Sequence, residues 1–245
     1  MTGLPDARDA YGHAMLDHFE GRHGFATMIE RDDGLVDADF GIHHYFSGKW
    51  TAVDREALRH VRGRTLDVGA GAGRVALHLQ KHGHDVVAID NSPLAVRICK
   101  KRGVSDARVL PFAGVDRRLG TFDSLVMWGN NFGLFGSPKR ARWMLRRLKR
   151  LTSPGARIVA QTVDVYATKE PVHLAYHRFN RKRGRLGGEL RIRVRYKKYA
   201  TPWFDYMMVA PGELLDILDG TGWFLDRAIT FPDSPIYFAV IEKET

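Results

Sequence analysis

Two hydrophobic periods alternate along the middle of this chain. Unbroken apolar runs such as Val86–Ile89, Leu125–Trp128 and Ile158–Ala160 are separated by stretches whose apolar residues recur every three or four positions. Short runs bounded by turn residues read as buried strands, and the 3.6-residue spacing reads as helix. The pattern predicts strands at 64–68, 85–89, 106–110, 122–128 and 156–163, with helices over 73–82, over 93–102 and from Ser137-Pro138 onward. Further on it predicts a helix at Pro211–Leu218, a strand from Thr221 to Leu225 and a last strand at Ile236–Ile241. Before the first strand, residues 10–22 place Tyr11, Ala14, Met15, His18 and Phe19 on one helical face. Thr51 and Asp54 look like a capping box opening a helix that buries Val53, Ala57, Leu58 and Val61. Alternating strands and helices imply an α/β chain with a mostly parallel sheet.

The first strand runs straight into Asp67-Val-Gly69-Ala70-Gly71-Ala-Gly73, after which the helical period begins. Glycine at 69 and 71 lets a ligand approach the backbone, and the amides opening the helix favour a negative group. The second strand ends in Asp90-Asn91-Ser-Pro93. In an open α/β sheet that acid stands beside the first loop, where it can hold two ribose hydroxyls.

These two stretches resemble the first two motifs of the class I S-adenosylmethionine (SAM) dependent methyltransferases. The likeness extends from about Arg64 to Tyr166 and resumes around Pro211, leaving out the first sixty residues and 168–210. A dinucleotide-binding loop is the rival, but its sixth position here is Arg74, and an acid stands two residues before the first glycine. The resemblance implies a Rossmann-like seven-stranded sheet with helices on both faces, its last strand antiparallel, and SAM as cofactor. It implies that Gly69 to Gly73 line the methionine portion, that Asp67 ties loop and amino group together, and that Asp90, with Asn91 beside it, holds the ribose. Relatives often carry an acid after the third strand for the adenine amine. This chain has Leu110-Pro-Phe112 there, so backbone groups or packing on Leu110 and Phe112 take that role. Trp128, Tyr11 and Tyr45 offer aromatic faces to a cationic donor, although Tyr11 reads first as core packing and only second as closing the cofactor pocket.

Composition narrows the field. A single cysteine among 245 residues excludes an intrachain disulfide, a multi-thiolate zinc site and, within this chain, an iron–sulfur cluster. Cys99 falls on the inward stripe of its helix. No window reaches the ~18 apolar residues of a membrane span, and the first residues lack a signal-peptide core, so a soluble, cytoplasmic chain with no membrane partner is expected. The net charge of +10 admits nucleic acid, an anionic lipid surface or acidic substrates without choosing among them. Residues 23–50 show no period and read as a lid carrying Tyr45, Phe46 and Trp50. His43 and His44 within it read as surface rather than metal ligands, and no metal is expected.

Domain organisation is that of one methyltransferase domain: 1–62 as N-terminal helices and lid, 63–167 as the cofactor core, 168–210 as an antiparallel insertion, and 211–245 as the end of the core. In the insertion Leu190–Lys197 alternates, with Ile192, Val194 and Tyr196 facing one way and Arg191, Arg193, Arg195 and Lys197 the other. That basic row reads as edge protection or as an attractor of anions. The basic face of the helix after Pro138 reads as solvated. Gly129-Asn130-Asn131-Phe132 follows the fourth strand. The two amides either orient a polar acceptor or cap the turn, and Tyr45 and Trp50 are further candidates for acceptor contact. His173 and His177 are the candidate bases. The expected activity is methyl transfer to N or O of a small molecule. A nucleic-acid or ribonucleoprotein binder (or RNA methyltransferase) on the same fold is the alternative, and a dinucleotide-dependent oxidoreductase the third reading.

Overall fold

A computed structural model describes residues 3–232 and 234–244. In chain order the elements are α1 (Ala10–Phe19), β1 (Thr27–Arg31), β2 (Val36–Asp39), α2 (Ala52–Leu58), β3 (Thr65–Val68), α3 (Arg74–Lys81), β4 (Val86–Asp90), α4 (Pro93–Lys101), β5 (Asp106–Val109), β6 (Phe122–Met127), α5 (Pro138–Lys149), β7 (Thr152–Val163), α6 (Pro171–Lys182), β8 (Glu189–Tyr196), β9 (Tyr199–Ala200), β10 (Phe204–Met207), α7 (Pro211–Leu218), β11 (Trp223–Thr230) and β12 (Ile236–Lys243).

The apolar runs form one seven-stranded sheet in the order β11-β12-β7-β6-β3-β4-β5. β3, β4, β5, β6 and β7 pair in parallel, while β12 runs antiparallel between β7 and β11. Strands buried on both faces need helices on both. One core joins Leu66, Leu125, Met127 and Ile158 to the inner faces of α5 and α7. The other joins Val126, Val159 and Phe238 to residues from α2, α3 and α4. Local signals set the helix starts. Thr51 and Asp54 complete a capping box, Ser92 caps α4 ahead of Pro93, and Ser137 caps α5 ahead of Pro138.

Three expectations need correction. Helix α1 ends at Phe19 because Glu20-Gly21 turns away with Gly21 at φ 78°, and Phe19 is exposed rather than inward. The stretch 23–50 is not irregular throughout: β1 and β2 form an antiparallel hairpin, and Gly41–Tyr45 is a 3-10 turn. The insertion is antiparallel only in its second half, since Pro171 opens helix α6.

The hairpin and the insertion form one structure. Strand β8 pairs with β1 on one side and β10 on the other, in the order β10-β8-β1-β2, with β9 against β8. This second sheet presents Val194 and Tyr196 to Ala10 and Ala14 of α1. The opposite side of α1 places Met15, 3% exposed, against Ala72, Ala95 and Ile98. Burying a side chain of that size contributes about 1.5–3 kcal/mol. Helix α1 is thus sandwiched between the second sheet and the glycine loop with α4, and with the turn Gly41–Tyr45 it forms a cap over that loop.

Candidate functional site

The candidate site lies where the parallel strands β3, β4 and β6 end. Gly69 and Ala70 donate their amides to Ile89 O at 2.9 and 3.0 Å, which bends the chain across the end of β4. Gly71, at φ 55°, closes the turn; a Cβ there would stand 2.6 Å from Cδ1 of Tyr45. The loop therefore needs glycine for its conformation and for the cap that lies on it.

Asp67 is 2% exposed, and its Oδ2 accepts from Ala76 N at 3.1 Å, so the strand's own acid caps α3. Burial pushes its carboxyl up to about 7, opposed by that hydrogen bond, with the Asp90 charge adding to the rise. Asp90 accepts from Gly71 N and Ser92 N, each at 2.9 Å. Burial raises its carboxyl too. Each oxygen retains a lone pair for a further donor. The acids of β3 and β4, both raised by burial, thus stand on either side of the glycine loop.

Of the neighbouring candidates, Asn91 is exposed, and its carbonyl accepts from Leu4 N at 2.8 Å. Leu110 N donates to Asp90 O at 2.8 Å, which sets Leu110 beside the acid. Phe112 meets Phe135 edge-on at 5.2 Å, and both Leu110 and Phe112 remain partly uncovered at the rim of the core.

The cap reaches the loop through Tyr11 and Tyr45, whose ring centroids are 6.4 Å apart. Burial raises both phenols, so both stay protonated donors. The cap is stitched down by arginines that gather main-chain carbonyls. Arg102 donates to Ala72 O at 2.5 Å and to Tyr45 O at 3.1 Å, and Arg74 to Ser47 O and Lys49 O at 3.1 and 2.7 Å. Asp9, 1% exposed, caps α1 through Gly12 N at 3.0 Å and accepts from Ser92 Oγ at 2.7 Å, which locks α1 to the loop after β4.

Beyond β6, the two amides do different things. Asn131 Nδ2 donates to Val68 O and Gly69 O, both at 2.9 Å, and buttresses the glycine loop. Asn130 stands at φ 62° with its Oδ1 buried and without a partner among the described residues. Its carbonyl accepts from Tyr206 OH at 2.5 Å, and the Tyr206 ring covers Gly133. Tyr206 comes from β10 of the insertion, and nothing local in the sequence marks it. Cys99, on α4, sets its Sγ 3.1 Å from Gly71 O, so the buried thiol also supports the loop.

Other candidates are occupied elsewhere. Trp128 donates Nε1 to Asp54 Oδ1 at 2.9 Å and packs on Phe238 at 4.6 Å. The Trp50 ring lies under the Arg74 guanidinium at 3.9 Å and beside His78 at 4.5 Å. His173 Nδ1 meets Arg31 at 3.1 Å, and His177 is buried beside Tyr166 and Gly187, its basicity lowered by burial. Both histidines sit on α6, away from the tyrosines of the cap. His43 and His44 are exposed, their ring centroids 4.0 Å apart and tilted by 40°. No cluster of three or more metal-ligating side chains occurs among the described residues.

Every member of the basic row that begins on β8 faces a carboxylate, although four cations share three of them. Arg191 pairs with Asp205 at 3.0 Å, Arg193 and Arg195 with Glu30 at 2.7 and 2.6 Å, and Lys197 with Asp17 at 2.6 Å. The two guanidinium groups hold the Glu30 carboxyl down to about 2.

A family model described as a methyltransferase domain matches residues 65–155. A demethylmenaquinone methyltransferase of Renibacterium salmoninarum is 33% identical over 120 residues, which are 45% of this chain and 46% of that protein. The match thus spans less than half of the curated relative. The crystal structure of a SAM-dependent methyltransferase from Bacteroides fragilis, in complex with S-adenosyl-L-homocysteine, is 27% identical, with a TM-score of 0.84 over 100% of this chain and 98% of that one. Magnesium protoporphyrin IX methyltransferase from Synechocystis, with bound S-adenosylhomocysteine, shares the fold at 15% identity and a TM-score of 0.55, covering 97% of each chain. No helix among the described residues is long and apolar enough to cross a membrane.

Proposed function

We propose that this chain, which belongs to the class I S-adenosylmethionine-dependent methyltransferases, methylates N or O of a small molecule. The carrying observation is that two separate segments cover the candidate site. Tyr45 of the cap lies on Gly71, while Tyr206 of the insertion lies on Gly133 and bonds Asn130. A site covered in this way suits a small acceptor, and the ion pairs along β8 leave little of its charge free for a phosphate backbone.

Glycine at 69 and 71 lets Asn131 and Tyr45 lie directly on the loop, and burial raises the carboxyls of Asp67 and Asp90 beside it. In this reading Asp90 holds the ribose hydroxyls and Asp67 the amino group. Leu110 and Phe112 pack on the adenine. Bound there, SAM supplies an electrophilic methyl group for in-line attack by the acceptor. The chain's own contribution is positioning and exclusion of water. Tyr11 and Tyr45 present ring faces that favour a cation and hydroxyls that stay protonated. Asn130 Oδ1 lacks a partner and is suited to accept an N–H or O–H of the acceptor. The two histidines of α6 are not assigned a catalytic role, and an acceptor with a free lone pair needs no base.

The test is incubation of enzyme with methyl-labelled SAM and a deproteinised metabolite extract. Label should appear in a low-molecular-weight product, together with S-adenosylhomocysteine. Label confined to added RNA or protein, or no turnover with any fraction, would overturn this reading.

A further inference from the structure

We propose that the outer face of α6 docks the protein onto an anionic lipid surface. The inner face of α6 is fixed. Tyr176 donates its hydroxyl to Asp32 at 2.6 Å, and Asn180 Nδ2 bonds Gly187 O and Glu189 O at 3.1 and 2.7 Å. The outer face therefore cannot turn inward. It carries Val172 at 42% and Phe179 at 46% exposure, with exposed Ala175 between them. Positions 172, 175 and 179 fall in line along one side of the helix.

Arg178, Lys182 and Arg183 flank this apolar stripe, and Arg183 lies over the Phe179 ring at 4.8 Å. No acid occurs between Pro171 and Arg183. None of the three cations joins an ion pair among the described residues, in contrast to the paired row on β8. An exposed apolar stripe flanked by unpaired cations matches the boundary of a bilayer. The ring and aliphatic side chains enter the acyl edge, and the cations meet lipid phosphates. Nucleic acid would satisfy the arginines but has no apolar counterpart for Val172. Docking of this kind needs no spanning segment.

The experiment is co-sedimentation with phosphatidylcholine vesicles, with and without phosphatidylserine, across a salt series. The wild-type chain should sediment only with the serine-containing vesicles and be released by salt. Each cation near such a surface is worth about fivefold in partitioning, so R178Q/K182Q/R183Q should lose on the order of a hundredfold. F179S should lose about tenfold by removing buried ring area. Both variants should bind S-adenosylhomocysteine as the wild type does, which shows that they are folded. Equal partitioning with and without phosphatidylserine, or none, overturns the proposal. So does salt-sensitive binding to duplex RNA or DNA that F179S leaves unchanged, which would assign the face to phosphate contacts alone.

Discussion

Asp67→Asn separates what this carboxyl costs the free protein from what it gives the cofactor. Burial holds the group at about 7 against 3.8 for a free side chain. That gap corresponds to about 4 kcal/mol between the two protonation states. In the free protein the folded state keeps a proton that the unfolded chain loses near pH 4. The stability carried by the neutral acid is complete below about pH 4, is lost progressively as pH rises to about 7, and is absent above it. Asparagine is neutral throughout and keeps an oxygen for Ala76 N. Burying its unpartnered NH2 costs about 1–3 kcal/mol, so the variant should recover the remaining ~1–3 kcal/mol at about pH 8, several degrees in Tm for a chain of this size. A cationic amine beside Asp67 favours the carboxylate, so cofactor binding should release protons. Affinity of the wild type should tighten roughly tenfold from about pH 6 to about pH 8 as Asp67 ionises. The variant should bind with a flat pH response and about 1.5–3 kcal/mol more weakly, the size of a charged hydrogen bond. Calorimetry with S-adenosylhomocysteine in phosphate and in Tris counts the protons, and thermal melts across pH give the stability. Wild-type affinity that ignores pH, together with no gain in Tm for the variant, would refute the argument.

Three further outcomes follow from the same geometry. Asp90→Ala should weaken SAM and S-adenosylhomocysteine by about 1.5–3 kcal/mol, and unchanged affinity by calorimetry would remove Asp90 from the site. Burial pushes the Cys99 thiol up to about 12, so a thiol reagent should label it only at the rate of unfolding; fast labelling of the native protein would contradict its packing against Gly71. Changing Arg191, Arg193 and Arg195 together to Gln should lower stability only modestly, since exposed ion pairs contribute about 0–1 kcal/mol each. It should also leave the salt response of acceptor KM unaltered; a flattened salt response would show that the row still reaches the acceptor.

Short-range patterns carried the core. The run from Thr65 to Arg74 specifies strand, turn and helix because glycine and apolar spacing act over a few residues. Ser92-Pro93, Ser137-Pro138 and Thr51 with Asp54 specify helix starts for the same reason. Asp67 and Asp90 were legible because each ends or nearly ends a strand beside its own turn. The hairpin of β1 and β2 was not legible. Strand β1 is buried only at its two ends, and its pairing with β8 sets Met28 opposite Arg195, far along the chain. Long-range pairing also decided the electrostatics. Arg193 and Arg195 look unopposed in the sequence, and only the register that puts Glu30 opposite Arg193 gives them a shared carboxylate. Trp50 and Trp128 were readable as aromatic residues near the site, but Arg74, His78 and Asp54, which claim their rings, converge only in the folded chain. The sequence by itself thus determined the α/β core and its cofactor loop, whose contacts are local. The tertiary structure decided what covers that loop, because Tyr45, Tyr206 and the second sheet meet it through contacts between distant segments, and local patterning does not encode which distant segments meet.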